Sequence, residues 1–336
     1  MKKYDTGLFL GKFAPFHKGH QYVVETALAE VGELLVVIYD CPETTDIPLS
    51  VRAEWIRELY PRVTVVEGWA LPTGTGYTKA EKREHEDAIQ DLLGEATVDA
   101  FYSSEPYGEH MSKALGAVDR RVDPDREVVP ISGTAVRENP YSQREFVSDL
   151  VYRDLVSNVV FLGGPSTGKS TLAEQLAQEF DTEWMPEYGR EYWLENEVNG
   201  QLTQGQLVDI AEGHIKRENE RLAEAREYLF TDTNAITTLG FSQLYHGESR
   251  KRLIELANNC HERYDFVFVC DTDIEYDDTW DRSGVKNQER LHKRTLAYLN
   301  QYGIPYVVLE GSVSERVATV KEVLACGEAN SMEQKR

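Results

Sequence analysis

The chain has 336 residues, of which 41% are hydrophobic and 28% charged, a composition typical of globular proteins rather than of disordered or fibrous ones. Its 36 basic and 58 acidic residues give a formal net charge of −22, and a surface this acidic repels nucleic acid and anionic lipid. The length favours two domains, and no apolar run approaches the roughly 18 residues that a membrane span needs.

The N-terminus and the cysteines predict a cytoplasmic protein. The opening MKKYDTGLFLGKF begins like a signal peptide, but Asp5 and Lys12 interrupt its apolar stretch and no small-residue cleavage site follows. The four cysteines show no CxxC or CxxxC spacing, and Cys270 lies in an apolar run. We therefore expect buried free thiols in a reducing compartment.

Apolar runs alternate with amphipathic stretches along the chain, which predicts two α/β domains with doubly wound parallel sheets, residues 1–150 and 151–330. We expect the join within residues 139–157 and a frayed tail after Gly327. Ligands of such sheets bind at the carboxyl ends of the strands. The predicted strands are residues 7–11, 34–39, 63–66, 98–102, 158–162, 228–231, 265–270 and 305–309. The predicted helices include residues 20–31, 50–60 capped by Ser50, 78–93, 169–180 and 203–227.

The segment GKFAPFHKGH follows the first predicted strand and opens the first helix, which indicates a phosphate site. Gly11 allows a sharp exit from the strand, and Gly19 allows close approach of the backbone to a ligand. His17 and His20 are expected to share a face of the first helical turn, where free N–H groups favour anions. Lys12 adds a full positive charge. The alternative, two ordinary histidines at a helix start, does not account for the strand, the glycine and the lysine around them.

A second segment, ISGTAVR at residues 131–137, has the same character. Ser132 is expected to cap a helix, Thr134 adds a hydroxyl, and Arg137 follows one turn later. A helix N-terminus with hydroxyls and an arginine can hold phosphate. Alone the pattern is weak, because Ser-x-Thr is common at helix caps, but together with the HxGH segment it is strong.

HxGH with ISxTxxR resembles the signature pair of the nucleotidyltransferase superfamily, and GKFxPxHxGH resembles the nicotinamide mononucleotide adenylyltransferases. The stretches SSEP at 103–106 and VDPDR at 122–126 are similar to those of NadR-type bifunctional proteins. The resemblance implies a reaction of nicotinamide mononucleotide with ATP that gives NAD and pyrophosphate. It implies ATP binding by this set of residues: Gly11, Phe13, Gly19, Ser132 and Thr134.

The chemistry of that reaction fits these residue types. The attacking group is a phosphate oxygen that is already an anion, so no general base is needed, and positioning and electrostatic stabilisation carry the rate. Lys12, His17, His20 and Arg137 are the candidate catalytic residues, with Mg²⁺ on the phosphates.

Three further residues are candidates for the substrate pocket of this first domain. Trp55 and Trp69 could line a pyridine pocket, because a planar cationic ring favours an aromatic face. Core packing of both is an equal alternative. Asp40 ends the second strand, where ligand contacts gather, but it could equally be a solvated loop acid.

The run GGPSTGKST at 163–171 matches GxxxxGK[ST] in full between a strand and a helix. Backbone N–H groups of such a loop wrap phosphates, Lys169 would reach the β and γ oxygens, and Ser170 would ligate Mg²⁺. A plain glycine turn would not explain Lys169 and Ser170 at that spacing. The residues expected to hold the phosphates are Gly163, Gly164, Ser166, Thr167, Gly168, Ser170 and Thr171.

The remaining parts of a kinase site are sought at the ends of later strands. Asp232 follows an apolar run and is a candidate carboxylate for Mg²⁺. Glu187 could accept the proton of a sugar hydroxyl, and Arg190 could hold a phosphate or ribose. Tyr188 and Tyr192 could flank a pyridine ring. A surface loop with a local ion pair is the alternative, and whether Glu187 or Asp232 is the base stays open.

A polar segment after the strand at 265–270 is typical of a lid that closes over ATP and excludes water, with Arg282 and Arg290 as its candidate contacts. A solvated charged loop is the alternative. EYGRE at 187–191, TDT at 231–233 and the aspartates at 277 and 278 resemble the ribosylnicotinamide kinase half of NadR-type proteins. The combined resemblance covers most of residues 7–325. It implies phosphorylation of nicotinamide riboside by ATP.

These inferences predict a bifunctional enzyme of NAD salvage that uses ATP as co-substrate and Mg²⁺ as cofactor. Its expected partners are nicotinamide riboside, nicotinamide mononucleotide, ATP and NAD, with no nucleic acid and no membrane. NadR proteins of enteric bacteria carry an N-terminal helix-turn-helix repressor domain, which we expect this chain to lack. Two alternatives stay open: a nucleotide-sensing regulatory protein, and the same chemistries on another nucleoside or cofactor precursor. A homo-oligomer is among the possible assembly states.

Overall fold

The computed structural model describes residues 2–69, 71–72, 78–105, 108–196, 202–275 and 285–334. The predicted lid segment at 277–282, with Arg282, lies outside these ranges. The chain divides into two compact units, Met1–Asp154 with Asn330–Arg336, and Leu155–Ala329. Each unit contains a parallel sheet flanked by helices, which confirms the predicted fold class. No helix within the described ranges is long and apolar enough to cross a membrane.

The first unit is built on a sheet with the strand order β3-β2-β1-β4-β5, and all of its strand pairs are parallel. The strands are β1 Tyr4–Gly11, β2 Val31–Tyr39, β3 Thr64–Gly68, β4 Ala100–Ser103 and β5 Val118–Arg121. The helices are α1 Lys18–Glu30, α2 Leu49–Leu59, α3 Lys79–Leu93, α4 Gly108–Leu115, α5 Gly133–Glu138 and α6 Asp149–Tyr152.

The central position of β1 follows from its sequence. Leu8, Phe9 and Leu10 are consecutive and all buried, which is typical of a parallel strand covered on both faces. β1 pairs with β2 on one side and with β4 on the other, so the strand order reverses there. The loop after β1 therefore opens at the switch point of the sheet, where ligands of such folds bind.

The second unit has the strand order β10-β9-β6-β8-β7, again with parallel pairs. The strands are β6 Ser157–Leu162, β7 Trp184–Met185, β8 Tyr228–Asp232, β9 Phe266–Cys270 and β10 Val307–Leu309. The helices of this half of the chain are α7 Lys169–Glu179, α8 Tyr188–Asn196, α9 Gln204–Glu224, α10 Ala235–His246, α11 Lys251–Asn259, α12 Val285–Tyr302 and α13 Val313–Gln334.

The central strand β6 supplies both halves of the core of this unit. Val160 and Leu162 belong to a buried cluster with residues of α9 to α12, whereas Val159 and Phe161 belong to a cluster with residues of α7 and α13. The alternation follows from the two-residue period of a strand. The glycine-rich loop leaves β6 at its carboxyl end, in the middle of the sheet.

Four details differ from the sequence-based expectations. Helix α2 has Pro48, not Ser50, at its N-cap, without a side-chain cap. Helix α13 extends to Gln334, past Gly327, where the sequence predicted no regular element. Cys326 is exposed, while the other three free cysteines are buried. The short edge strands β5 and β7 were missed, because VDRR is charged and β7 has only two residues.

Candidate active sites

The histidines of the first loop form the N-terminal cap of α1. His17 is the N-cap residue, and its Nδ1 accepts the backbone N–H of Gly19 at 3.1 Å. His20 makes the reciprocal hydrogen bond: its Nδ1 accepts the backbone N–H of His17 at 3.3 Å. The two rings stack with their centroids 3.7 Å apart. Because each Nδ1 is an acceptor, a neutral ring carries its hydrogen on Nε2, where it is a donor.

Burial favours the neutral form of both histidines. Burial lowers the pKa of His17 to about 4, with help from the positive charge of Arg126. Burial also holds the pKa of His20 well below its usual value, and the neighbouring His17 adds to the effect. The pair therefore offers two fixed N–H donors rather than two cations. A Cβ at Gly19 would lie 2.9 Å from the ring of His17, so glycine at this position also lets the histidine pair pack.

The structure brings the second segment against the first loop. Arg137 on α5 donates through Nη1 to the carbonyl of Ala14, and its Nη2 donates to Oγ1 of Thr134 at 3.2 Å. Ser132 caps α5 as predicted, because its Oγ accepts the backbone N–H of Ala135 at 3.2 Å. The donors of both segments thus meet at the switch point of the sheet.

Lys12 is held by a partner that the sequence did not indicate. Its ammonium group pairs with the carboxylate of Glu43, in the loop after β2. The buried Arg52 joins the loops that follow β1 and β2. It donates to the carbonyl of Lys12 after β1, and to the carbonyl of Ile47 and the carboxylate of Asp40 after β2. Asp40 is thereby engaged in an internal ion pair. No local sequence pattern predicts these contacts, because they join segments that are distant along the chain.

The two tryptophans of the first unit have different surroundings. Trp55 is only 2% exposed, and its indole N–H donates to Asp154 at 2.6 Å, so the core-packing alternative describes it. Trp69 follows β3 at the carboxyl edge of the sheet and is 62% exposed, with its indole N–H on Glu67 at 3.1 Å. Trp69 is therefore the one of the two with an aromatic face open to a ligand.

The glycine-rich loop of the second unit is organised around the carbonyl of Gly164. Nζ of Lys169 and Oγ1 of Thr167 both donate to this carbonyl at 2.8 Å. Ser170 donates through its hydroxyl to Asp232, the last residue of the neighbouring strand β8. Thus the loop, a lysine, a hydroxyl and a carboxylate meet at the carboxyl edge of the sheet, as predicted for this type of loop.

Two carboxylates flank the loop. Burial raises the pKa of Asp232, opposed by the charge of Lys169 and the hydrogen bond from Ser170. Burial also raises the pKa of Glu187, and the charge of Asp232 adds to that rise. Within the described part of the chain, Oδ1 of Asp232 is buried without a hydrogen-bond partner. Asp232 therefore has an acceptor oxygen without a partner, and Glu187 holds a proton more readily than a carboxyl group usually does.

A cavity of about 320 Å³ extends from the glycine-rich loop into the second unit. Glu187 and Arg190 lie on its wall, together with His214 of α9. His214 is buried, and its Nε2 lies 3.7 Å from the buried carboxylate of Glu218. The aromatic side chains on the wall are Trp193, Phe241, Tyr245 and Tyr298.

The aromatic residues predicted to flank a pyridine ring lie elsewhere. The ring of Tyr188 packs under the guanidinium of Arg217 at 4.1 Å, and the hydroxyl of Tyr192 reaches Asp209 at 3.4 Å. Both tyrosines face α9 and do not line the cavity as described. Trp193, which does line the cavity, lies on another face of α8, and sequence alone did not show which face is turned toward it. Arg290 is exposed on α12 and is not part of the described wall.

The comparison with protein-family models reflects the same two units. Residues 8–139 match a cytidylyltransferase-like model, and residues 158–316 match an AAA domain model. Together with the two loops, these matches define a class of protein in which a nucleotidyltransferase unit precedes a P-loop kinase unit. The chain therefore combines nucleotidyltransferase and nucleoside kinase chemistry.

Similar proteins identify the family. The chain is 30% identical over 313 residues to the trifunctional NAD biosynthesis/regulator protein NadR of Escherichia coli K12, covering 85% of this chain and 72% of that protein. It is similar in fold to a crystal structure of NadR in complex with NAD and AMP-PNP, with a TM-score of 0.57, 21% identity and 96% of each chain covered. A NadR structure in complex with NR gives a TM-score of 0.56 at 22% identity, covering 93% of this chain and 90% of that one. The chain belongs to the NadR family.

Proposed function

We propose that this chain converts nicotinamide riboside to NAD in two ATP-dependent steps. The unit Leu155–Ala329 phosphorylates the riboside, and the unit Met1–Asp154 transfers the adenylyl group of a second ATP to the product. One observation carries the proposal: each unit has an anion-binding loop at the carboxyl end of its central strand, and the two loops carry different chemistry. Membership of a family named for NAD biosynthesis, with solved members in complex with NAD, AMP-PNP and NR, supports the choice of substrates.

In the phosphorylation step, the 5′-hydroxyl of the riboside attacks the γ-phosphorus of ATP. The new O–P bond forms while the bond to ADP breaks, and Glu187 takes the hydroxyl proton. Its raised pKa suits this role, since a base works best with a pKa near the working pH. Oδ2 of Asp232 accepts the hydroxyl of Ser170, a residue suited to hold the metal, so Asp232 is the less suitable base of the two. Lys169 stabilises the charge on the transferred group.

Asp232 and Ser170 are the residues suited to hold Mg²⁺. The unsatisfied, buried Oδ1 of Asp232 and the hydroxyl of Ser170 are hard oxygen ligands of the type that Mg²⁺ prefers. No group of three or more metal-binding side chains occurs in the described ranges, which suits an ion held partly by phosphates and water. When bound, Mg²⁺ neutralises charge on the phosphate oxygens.

In the adenylylation step, a phosphate oxygen of nicotinamide mononucleotide attacks the α-phosphorus of ATP and pyrophosphate leaves. The Nε2–H groups of His17 and His20 and the guanidinium of Arg137 hold the triphosphate. Lys12 exchanges Glu43 for a phosphate oxygen. No side chain needs to accept a proton, because the attacking group is an anion throughout.

The nicotinamide ring would bind against aromatic side chains in both units. The cavity of the second unit offers Trp193, Phe241, Tyr245 and Tyr298, and aromatic faces attract a flat cationic ring. Trp69 offers an open face in the first unit. We place the reactions in the cytoplasm, supported by free rather than paired cysteines.

A time course with nicotinamide riboside, ATP and Mg²⁺, followed by liquid chromatography, tests the proposal. We expect the mononucleotide to appear first and NAD to follow, whereas adenosine and uridine as matched substrates should give little product. Faster phosphorylation of one of these nucleosides would favour another precursor. Nucleotide binding without any product would favour the regulatory alternative and contradict the proposed function.

A further inference from the structure

A buried arginine lies beneath the glycine-rich loop of the second unit. Arg316 is in the first turn of α13 and is only 2% exposed. Its Nη1 donates to the backbone carbonyl of Thr167 at 2.7 Å, and its Nε donates to the carbonyl of Gly311 at 3.0 Å. Its Nη2 pairs with Asp273 and reaches the carbonyl of Asp271 at 3.4 Å. One guanidinium therefore joins three loops at the carboxyl edge of the sheet.

These loops follow three neighbouring strands. Thr167 lies in the glycine-rich loop after β6, Asp271 and Asp273 follow β9, and Gly311 follows β10. The backbone N–H of Gly311 also donates to Asp273, which closes the arrangement. Since the strands are ordered β10-β9-β6, Arg316 connects the glycine-rich loop to the whole adjacent side of the sheet.

The contact with Thr167 fixes the direction of a phosphate-binding amide. In a planar trans peptide the carbonyl and the following N–H point in opposite directions. Because Arg316 holds the carbonyl of Thr167 toward α13, the N–H of Gly168 is directed the opposite way, toward the loop interior. Gly168 has φ +81°, and because glycine adopts positive and negative φ about equally readily, the direction of its N–H depends on what holds its neighbours. Backbone N–H groups of such a loop are its principal contacts to phosphate.

The chemistry of this contact is specific to arginine. The guanidinium carries five N–H donors in a fixed planar arrangement, and here it meets three carbonyls and one carboxylate. Lysine has a single charged nitrogen and cannot reach all four acceptors in one geometry. Asp273 balances the buried charge of Arg316. The effect of Arg316 on the loop therefore comes from the direction of its hydrogen bonds and not from its net charge alone.

We propose that Arg316 is a positioning residue of the phosphoryl-transfer site, which orients the Gly168 amide for the phosphates of ATP. This proposal rests on the proposed kinase function only in that it calls the site a phosphoryl-transfer site. Nucleotide binding at the glycine-rich loop tests it independently of any riboside. A merely structural role of Arg316 would change stability without a preference for phosphate-bearing ligands.

The experiment measures hydrogen exchange of the peptide covering residues 163–171 in the full chain, titrated with MgADP or with adenosine. In Arg316→Gln, protection by MgADP should require about 10- to 100-fold more ligand, the effect of losing a charge-assisted hydrogen bond. Adenosine should protect to the same small extent as in wild type. Arg316→Lys should lie between the two, and it serves as the folded test if Arg316→Gln does not fold.

Lys321→Gln is the matched control, since Lys321 lies on the same helix and pairs with Glu179 of α7 without contact to the loop. It should bind MgADP as wild type does. Wild-type affinity for MgADP in the folded Arg316 variants, or equal weakening of MgADP and adenosine, would overturn the proposal. A wild-type chain that binds MgADP at this peptide but phosphorylates no riboside would refute the proposed function and leave the assignment of Arg316 intact.

Discussion

The two phosphate loops occupy equivalent places in their sheets, but their side chains differ in charge. The first uses His17 and His20, neutral N–H donors whose pKa values burial lowers. The second uses the charged Lys169 beside Glu187 and Asp232, carboxyls whose pKa values burial raises. The contrast matches the attacking groups: a phosphate anion needs donors and no base, whereas a hydroxyl needs a group that accepts its proton.

The largest effects should come from removing one central residue of each loop. Lys169→Ala should lower phosphorylation of the riboside on the order of 10³-fold and leave adenylylation of supplied mononucleotide unchanged. His20→Ala should do the reverse. His20→Gln is the matched variant, because glutamine at this position keeps the reciprocal helix cap. Loss of both activities from either folded variant would show that the loops do not act separately.

The neutral state of the first loop should appear as pH-dependent stability. The pKa of His17 is lowered from 6.5 to about 4 in the folded chain, so the unfolded chain binds more protons between these values. The contribution to the free energy of unfolding is therefore complete above pH 6.5 and falls as the pH drops toward 4, by up to about 3 kcal/mol. Hydrogen exchange of peptides from β1 and β2 measures it.

His17→Asn is the control for this pH dependence. Asparagine keeps a side-chain acceptor at the N-cap but does not titrate in this range. Its stability should decline less between pH 6.5 and 4 than that of wild type. The same decline in both proteins would mean that His17 is not the neutral donor that the geometry describes.

Substitutions of the two carboxylates near the second loop should distinguish the base from the metal ligand. Glu187→Gln should lower kcat for phosphorylation roughly 10²-fold with little change in KM for ATP. Wild-type activity should fall on the acid side of a pKa raised above the usual carboxyl range, and this acid limb should disappear in Glu187→Gln. Asp232→Asn should instead raise the Mg²⁺ concentration needed for half-maximal activity. An exchange of these two phenotypes would make Asp232 the base.

The smallest of these effects concerns the aromatic wall of the cavity. Trp193→Leu should raise KM for the riboside about tenfold, because a leucine does not offer a ring face to a cation. Tyr188→Leu, on the same helix but facing α9, should leave KM unchanged. Steady-state kinetics at saturating ATP measures both, and the opposite order would support the predicted contact of Tyr188 with the pyridine ring.

The sequence predicted the parts of the sites that local structure determines. The glycine-rich loop and the HxGH segment each lie between a strand and a helix within about ten residues, so their backbone course follows from spacing. The cap formed by Ser132 is local for the same reason. The central strands were predictable because their apolar runs are buried on both faces.

The parts that the sequence did not predict depend on contacts between distant segments. Arg52 and Arg316 look like ordinary surface charges in sequence, and only the fold buries them under loops that are far away along the chain. The face of α8 that lines the cavity was missed because the orientation of this helix is set by its packing against α9. Glu43 was missed because an ion pair across 31 residues leaves no local pattern.

The most direct test of the two-loop account follows the two phosphates of the product. Wild-type chain, nicotinamide riboside and Mg²⁺ are supplied once with ATP labelled at the γ-phosphorus and once with ATP labelled at the α-phosphorus. We expect NAD to be labelled in both experiments, since one of its phosphates comes from the γ position of ATP and the other from the α position. NAD labelled from only one position, or label confined to the mononucleotide in both, would contradict it.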